Sequence, residues 1–364
     1  MFMESPISAT TVQIDRSQRV SGTVSVVVPA YNEQEVLPEF HRRLAKVLND
    51  AAPDWEVIYV NDGSTDSTMH VLGGLARSDS HVRVVDLSRN FGKEIAMTAG
   101  MDHATGDAVV LIDADLQDPP ELISEFLRIW YEGEADVVYG KRRSRGGESI
   151  LKKLTAHFFY RVIQTMSRVQ IPEDTGDFRL MSRRAVLALG QLREQHRFMK
   201  GLFAWIGFPQ VAVLYDRDPR FAGKTKFNYW KLWNFALEGI TSFTTAPLKL
   251  ATYIGLLVAT LAFAFGAWII YRTLAYGNPV AGYPSLIVVV LFLGGVQLAF
   301  IGVLGEYMGR MFDESKGRPL YLVKQLLRGD ADAGALENVP AVRPSTVTLE
   351  TVAAGGGHRP RQGG

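Results

Sequence analysis

The stretch Asp113-Ala-Asp-Leu-Gln-Asp118 is the strongest chemical signal in the sequence, and it directly follows an apolar run. Carboxylates on alternate residues at a strand end, here Asp113 and Asp115, can converge on one divalent cation. Hard oxygen ligands of this kind suit Mg²⁺ or Mn²⁺. A solvated turn with helix-capping aspartates gives the same pattern. Both interpretations stay open on this stretch alone, so the neighbouring motifs decide between them.

Three more polar clusters each follow an apolar run. They are PAYNE at 29–33, NDGSTD at 61–66 and NFGKE at 90–94. At the carboxyl ends of strands in a doubly wound sheet, such clusters surround bound ligands. We expect Asp62 to accept a hydrogen bond from a base or ribose hydroxyl, although the same motif also makes a good turn and N-cap. Gly92 would permit close backbone approach, and Lys93 either meets a phosphate or is a surface cation.

The elements that must position these clusters follow from hydrophobic periodicity. Apolar, β-branched runs alternate with helical patterns from 23 to about 139. The candidate strands cover 24–28, 56–60, 82–87, 108–112 and 136–139. This alternation predicts an α/β domain with a parallel sheet and crossover helices.

The amino-acid composition limits which binding partners and which metal ligands the protein can have. The 39 Lys plus Arg residues nearly balance the 38 Asp plus Glu residues, so no overall charge points to nucleic acid. The chain has no Cys, which excludes thiolate metal sites and leaves oxygen or imidazole ligands. Residues 1–21 lack the apolar core of a secretory signal, so we expect a flexible N-terminus at 1–20 and a cytoplasmic first domain.

Two uncharged segments in the second half are long enough to span a bilayer. They lie at 250–271 and 284–305, with Arg272 between them. Two buried core helices are the alternative, but uncharged lengths of this kind are rare in soluble domains. Lys and Arg crowd the outer ends of both segments, which places both termini and the catalytic domain on the cytoplasmic side of the inner (plasma) membrane.

The remaining boundaries follow from composition. A catalytic domain is expected at 21–227 and two transmembrane helices at 248–310. Residues 228–247 mix Trp, Tyr and Phe with Lys, as interfacial amphipathic helices do. A cytoplasmic tail is expected at 311–364, disordered after about 328 because it is rich in Gly, Ala and Pro without an apolar face.

In order and spacing, PAYNE, NDGSTD, NFGKE and DADLQDPPE resemble glycosyltransferase family 2, which has a GT-A, Rossmann-like nucleotide-diphospho-sugar fold. Later motifs resemble its polyprenyl-phosphate branch, the dolichol-phosphate-mannose-synthase-like group, and within it the bactoprenol glucosyltransferases. These motifs are DTGDFRL at 174–180, HRFMKG at 196–201, RFAGKTKF at 220–227 and EYMGR at 306–310. The similarity covers roughly residues 20–330.

The resemblance implies a role for each matching residue. The nucleotide sugar is expected to contact Pro29, Tyr31, Glu33, Asp62, Lys93, Asp113 and Asp115. The catalytic residues would be Asp113, Asp115, Asp177 and Arg179, with Asp115 and Gln117 as the direct ligands of Mg²⁺ or Mn²⁺. The acceptor phosphate would meet Lys141, Arg142, Arg143, Arg145, Arg220, Thr225 and Lys226.

The implied reaction moves one sugar, glucose from UDP-glucose, onto undecaprenyl phosphate with inversion, for modification of cell-envelope glycans. A phosphate acceptor is already an anion near neutral pH, so no strong general base is required. GDP-mannose or another UDP-sugar is the alternative donor, because no short motif encodes the sugar.

Two other functions are consistent with part of this pattern. A processive polysaccharide synthase shares the first motifs but carries a QxxRW element and more spans, which this chain lacks. A noncatalytic membrane scaffold would not need Asp113, Asp115 and Gln117. Glycines at 294, 295, 302, 305 and 309 would let spans pack closely, so a homo-oligomer is a further expectation.

Overall fold

A computed structural model of the protein describes residues 22–143, 175–216, 246–276 and 282–328. The described strands are β1 Val24–Ala30, β2 Trp55–Asn61, β3 Val82–Leu87, β4 Ala108–Leu111, β5 Val137–Arg142, β6 Thr175–Ser182, β7 Gln210–Tyr215 and β8 Val323–Arg328. The helices are α1 Leu37–Ala51, α2 Thr68–Ser78, α3 Lys93–His103, α4 Ile123–Tyr131, α5 Arg183–Gly190, α6 Met199–Trp205, α7 Ala246–Tyr276 and α8 Tyr283–Ser315. All the strands join one sheet in the order β7-β5-β6-β4-β1-β2-β3-β8.

The five predicted strands are all present, with ends shifted by up to three residues. Strands β4, β1, β2 and β3 are parallel and stand side by side. Because β1 lies between β4 and β2, the strand order reverses beside β1. Ligands of doubly wound sheets bind in the crevice at such a reversal.

The prediction of a parallel sheet is wrong outside this central part, because the sheet is mixed. Strand β6 runs antiparallel to both β4 and β5, and β8 runs antiparallel to β3. Strands β6, β7 and β8 were not predicted. Each lies beyond the repeating strand-and-helix pattern on which the prediction of parallel crossovers rested.

The sheet is covered on both faces. Helices α1, α2 and α4 pack on one face, and α3, α5 and α6 pack on the other. Gly100 lets α3 approach the sheet closely, since a Cβ there would lie 2.2 Å from Val27 Cγ1. This contact fixes the position of α3, whose first residue is Lys93.

Helices α7 and α8 contain 31 and 33 residues, and the predicted spans at 250–271 and 284–305 lie within them. A helix of 31 residues is about 46 Å long, more than the hydrocarbon thickness of a bilayer. Both carry apolar stretches long enough to cross a membrane, and neither stretch is buried against the rest of the protein. Length and composition are therefore those of a membrane hairpin.

The first part of the predicted tail at 311–364 is folded, because α8 continues to Ser315 and β8 then joins the sheet. Strand β8 forms backbone hydrogen bonds with β3, and its own sequence does not predict this pairing. The N-terminus at 1–20, the interfacial helices over 228–245 and the tail after 328 lie outside the described residues.

Candidate active site

The loops after β1 and β2 are tied together by side-chain to backbone hydrogen bonds. Asn32, in the left-handed region at φ 54°, donates its N–H to Ser64 Oγ at 3.0 Å. Its own Oδ1 accepts from the N–H of Thr65 at 2.8 Å. The N–H of Glu33 donates to Thr68 Oγ1 at 2.8 Å. These bonds hold PAYNE and NDGSTD side by side at the carboxyl edge of the sheet.

Asp62 connects these loops to the loop after β3. Its Oδ1 and Oδ2 accept from the N–H groups of Phe91 and Gly92 at 2.7 and 3.0 Å. Burial raises the pKa of Asp62, and these two bonds oppose that rise. Gly63 has φ 63°, and a Cβ there would lie 2.5 Å from the backbone of Arg89 and Asn90. Asp62 therefore organises the NFGKE loop, a role that the sequence analysis did not anticipate.

Lys93 lies at the centre of the site. Its Nζ donates to Asp113 Oδ2 at 2.7 Å and to Asp177 Oδ2 at 2.5 Å. The other oxygen of Asp177 is buried and has no hydrogen-bond partner among the described residues. Residues from the start of α3, from the loop after β4 and from β6 thus converge, although 84 positions separate Lys93 from Asp177.

The electrostatic environment favours the charged forms of Lys93 and Asp177. Burial would raise the pKa of Asp177, but the positive charges of Lys93 and Lys200 outweigh it and hold that pKa below its usual range. Burial would likewise lower the pKa of Lys93, whereas Asp113 and Asp177 raise it overall. Burial raises the pKa of Asp113, and the negative charge of the nearby Asp177 adds to that rise, which Lys93 offsets only in part. Asp177 is accordingly the more firmly ionised carboxylate.

Asp115 and Gln117 lie on a tight turn beyond Asp113. Leu116 adopts the left-handed conformation at φ 56°, and the N–H of Gln117 donates to Asp115 Oδ1 at 3.1 Å. No group of three His, Asp or Glu side chains converges as a metal site in the described ranges. This donor set fits Mg²⁺ or Mn²⁺ only when a substrate diphosphate supplies further oxygens, which is how proteins usually bind Mg²⁺.

A second polar network lies beside the first. The hydroxyl of Tyr215 donates to Asp118, which is 2% exposed, and Arg142 donates to the same hydroxyl. Arg142 Nε is buried and has no partner among the residues described. Arg142 also lies near Gly176, where a Cβ would be 3.5 Å from Nη2. Asp118 and Tyr215 therefore hold Arg142 next to the start of β6, which carries Asp177.

Replacing Tyr215 with phenylalanine is expected to lower the free energy of unfolding by about 1–3 kcal/mol, because buried Asp118 loses its donor. Denaturant unfolding of the detergent-solubilised protein measures this change. Tyr131→Phe is the matched control, since the Tyr131 hydroxyl is buried without a partner in the described structure. Equal destabilisation by both substitutions would contradict the assigned bond.

Arg179 lies inside the domain rather than at an open edge. It is 3% exposed, and its guanidinium lies 3.5 Å from the centre of the Phe203 ring. It donates to the carbonyls of Gly176 and Asp177 at 3.1 and 3.4 Å. Burial lowers the pKa of Arg179 to about 10. Its contacts fix the backbone that presents Asp177.

Glu94 lies behind Lys93 and was not selected by the sequence analysis. Its Oε2 accepts from the N–H of Met199, the first residue of α6, at 2.9 Å. Burial and the charge of Asp177 raise the pKa of Glu94 to about 8. Glu94 thus joins the start of α3 to the start of α6 directly behind the site.

Replacing Glu94 with glutamine is expected to flatten the pH dependence of stability. The folded protein binds a proton that the unfolded chain has released, so wild-type stability falls as pH rises from about 4.5 to about 8. The unfolding free energy of wild type should therefore fall relative to that of the variant over this interval. Urea titrations at several pH values measure it. Exposed Glu134→Gln serves as control, and parallel curves for wild type and Glu94→Gln would refute the assignment.

The described residues include only part of the predicted acceptor site. Arg143 is exposed, with its Nη1 3.7 Å from Asp216 Oδ2, and Lys141 is exposed on β5. Pro29 lies within β1 opposite Val60, and Tyr31 and Glu33 lie in the loop that follows. Predicted acceptor residues outside the described ranges are Arg145, Arg220, Thr225 and Lys226.

The sequence motifs did not predict a role for three residues of the site, and only two of the three lie within those motifs. Asp118 belongs to the DADLQD motif, and Glu94 belongs to NFGKE, so both were in view without a role. Tyr215 ends β7, a strand that was not predicted, and no local pattern marks it.

Comparison with known proteins agrees with this arrangement. Residues 25–190 match glycosyl transferase family 2, and residues 246–311 match the GtrB C-terminal hairpin. An uncharacterised glycosyltransferase from Synechocystis is 54% identical over 83% of this chain and 95% of that protein. The SfII prophage-derived bactoprenol glucosyl transferase of Shigella flexneri is 50% identical over 84% of this chain and 99% of that protein.

An Escherichia coli prophage bactoprenol glucosyl transferase homolog is 49% identical over 83% of this chain and 99% of its own length. These relatives match nearly end to end, so the catalytic domain and the hairpin are shared together. The resemblance drawn from the sequence motifs is therefore confirmed. The chain belongs to glycosyltransferase family 2, with a GT-A-like α/β domain followed by a GtrB-type C-terminal hairpin.

Proposed function

We propose that the protein transfers one glucose from UDP-glucose to undecaprenyl phosphate, giving a polyprenyl-phosphate sugar with inverted anomeric configuration. The observation that carries the proposal is the convergence of Lys93, Asp113 and Asp177 at the strand-order reversal. It is supported by about 50% identity to bactoprenol glucosyl transferases over their whole length.

The donor would lie over the carboxyl ends of β1, β2 and β4. The ordered loops carrying Tyr31, Glu33 and Asp62 would enclose the nucleoside, and Lys93 would meet the diphosphate. A lysine already held between two carboxylates can exchange one of them for a phosphate oxygen without losing its charge partner. The geometry therefore suits an anionic donor.

Asp115 and Gln117 would hold Mg²⁺ or Mn²⁺, which when bound neutralises charge on the departing nucleoside diphosphate. Arg142 and Arg143 would take the acceptor phosphate, together with the predicted residues Arg145, Arg220, Thr225 and Lys226. Arginine forks match phosphate oxygens in pairs, and the buried Nε of Arg142 has no partner among the described residues, which gives one unused donor. These cations offset the repulsion between two anionic substrates.

In the proposed step a phosphate oxygen of the acceptor attacks the anomeric carbon. The new carbon–oxygen bond forms as the bond to the diphosphate breaks, and UDP leaves with that electron pair. Asp177 orients the acceptor, since its buried Oδ1 can accept from a P–O–H group. Arg179 holds the Asp177 backbone in place. A single displacement of this kind inverts the configuration.

The apolar hairpin formed by α7 and α8 would anchor the domain in the inner membrane, with the active site and both termini on the cytoplasmic side. The segment 228–247 would lie in the interface and the residues after 328 would form a free tail. Placing the site at the membrane surface is what a long polyprenyl phosphate requires, because its chain stays in the bilayer.

Transfer of radiolabelled sugar into organic-extractable lipid tests the proposal. Membranes containing the protein receive undecaprenyl phosphate and a panel of UDP and GDP sugars, with and without EDTA. Glucose incorporation from UDP-glucose that EDTA abolishes is the expected result. Labelling from GDP-mannose alone would identify GDP-mannose as the donor in place of UDP-glucose. If no donor gave a lipid product, the result would favour a noncatalytic membrane scaffold. A product with retained configuration would overturn the single displacement.

A further inference from the structure

We propose that loop 191–198 and the end of α8 form a clamp that holds the active site at a fixed height and orientation above the membrane. We call this set of contacts the hairpin clamp and define it by Gln195, His196, Asp313 and Glu314. The inference rests on the proposed function, because it concerns how a membrane-bound acceptor reaches Asp177 and Lys93. It assigns a positioning role to residues that touch neither substrate.

The hairpin clamp consists of three direct contacts. The backbone N–H of Gln195 donates to Glu314 Oε1 at 2.6 Å, and its side-chain Nε2 donates to the carbonyl of Arg318 at 2.5 Å. His196 Nε2 lies 3.1 Å from Asp313 Oδ2. Asp313 and Glu314 lie in the last turn of α8 and Arg318 follows three residues after it, so the three contacts join the catalytic domain to the end of the apolar hairpin.

A second anchor fixes the same loop to α3. Asp102 accepts a pair of hydrogen bonds from Arg193 at 2.7 and 2.8 Å. Its Oδ2 also accepts from the hydroxyl of Tyr321 at 2.8 Å. Tyr321 follows α8 and precedes β8, so Asp102 contacts both the loop and the segment that returns from the hairpin. The loop is therefore held from two sides.

Two structural elements, α3 and α6, connect the hairpin clamp to the active-site residues. Helix α3 begins at Lys93 and carries Asp102 near its other end, and it spans about 16 Å. Loop 191–198 runs directly into α6, whose first N–H, from Met199, binds Glu94 next to Lys93. A shift of the α8 end would move both helices that meet behind the site. Because α3 is packed tightly on the sheet at Gly100, it would move together with the rest of the catalytic domain.

The hairpin clamp should affect transfer only to acceptors that are anchored in the bilayer. An undecaprenyl phosphate is fixed in depth by its chain, so its phosphate meets Asp177 only if the site stands at the matching height. A short, water-soluble prenyl phosphate diffuses in freely and does not need that match. Exposed contacts are individually weak, so the hairpin clamp acts through several at once. Removing two of its carboxylates should loosen it without unfolding the domain.

The test compares two acceptors in one set of variants. Asp313→Ala/Glu314→Ala removes both carboxylates of the hairpin clamp. Glu125→Ala/Glu132→Ala is the matched control, because it also removes two exposed carboxylates, which pair with Arg128 on the opposite face of the sheet. For each protein, kcat/KM is measured with undecaprenyl phosphate in liposomes and with geranyl phosphate in solution, using the donor that labels wild type.

We expect the clamp variant to lose about tenfold in kcat/KM with undecaprenyl phosphate, since small misplacements of reacting groups are costly. Its kcat/KM with geranyl phosphate should match wild type, and the control should match wild type with both acceptors. The variant Asp313→Asn/Glu314→Gln keeps an acceptor oxygen at each position and should retain most of the lipid activity.

An equal loss with both acceptors would overturn the proposal, because it would indicate general damage to the site. Unchanged activity with undecaprenyl phosphate would overturn it as well. Failure of the proposed function looks different, since wild type itself would then transfer no sugar to either acceptor.

Discussion

Sugar transfer is expected to fall by about 10²- to 10³-fold when Lys93 is replaced by methionine, the range seen on removal of one donor that stabilises transition-state charge. Lys93 Nζ is the shared partner of Asp113 and Asp177, at 2.7 and 2.5 Å. Without it, two neighbouring carboxylates face each other, and the donor diphosphate loses a cation. Methionine keeps much of the side-chain length, so the effect reports on charge.

The charge change also alters the pKa of Asp177. The charge of Lys93 is the largest of the effects that lower this pKa, so the variant should need a higher pH to ionise Asp177. The pH profile of kcat/KM should therefore shift its acidic limb upward. Lys93→Arg keeps the positive charge but changes its geometry. A planar guanidinium group does not replace the compact ammonium group that lies between two carboxylates.

Initial rates of lipid labelling in membranes measure both effects. Lys46→Met, the same substitution at an exposed position of α1, is the control and should behave as wild type. Immunoblots of the membrane fraction equalise the amount of protein. Near-normal transfer by Lys93→Met would show that the lysine only balances charge in the absence of donor, and the assignment of Lys93 to the diphosphate would fail.

The fold could be predicted where local pattern and final structure coincide. Strands β1 to β4 are rich in Val, Ile and Leu and almost wholly buried, which is the composition of a central parallel sheet. Strand β6 begins Thr-Gly-Asp-Phe-Arg, and its glycine and charged residues lower strand propensity. Strand β8 is paired through β3, more than 200 positions away, so its partner cannot be inferred locally.

The same limit applies to the site. The motif order predicted which loops would line the crevice, because loops after parallel strands share one edge of the sheet. It left Lys93 undecided between phosphate ligand and surface cation, and only the convergence with Asp113 and Asp177 favours the first. Asp62 shows the reverse case, since both of its oxygens are engaged by the backbone of Phe91 and Gly92. Which group a carboxylate meets depends on contacts between distant segments.

Asp115→Ala is expected to abolish turnover, with a loss of about 10³-fold or more, because a metal on the leaving group contributes several kcal/mol to transition-state stabilisation. No three acidic or histidine side chains converge as a metal site in the described ranges, and Asp113 and Asp177 are already engaged by Lys93. Asp115 is therefore the ligand with no substitute nearby. The alanine also removes the acceptor for the N–H of Gln117, so the second proposed ligand loses its support on the turn.

The substitution should spare the fold and the membrane hairpin, since Asp115 lies on a surface turn remote in sequence from α7 and α8. Membrane fractionation and lipid labelling across a Mg²⁺ and Mn²⁺ titration separate the two outcomes. Asp50→Ala, at an exposed position of α1, is the control and should keep both insertion and metal-dependent activity. Full activity of Asp115→Ala in the presence of EDTA would remove the metal from the mechanism. Charge neutralisation of the diphosphate would then rest on Lys93 and the arginines alone.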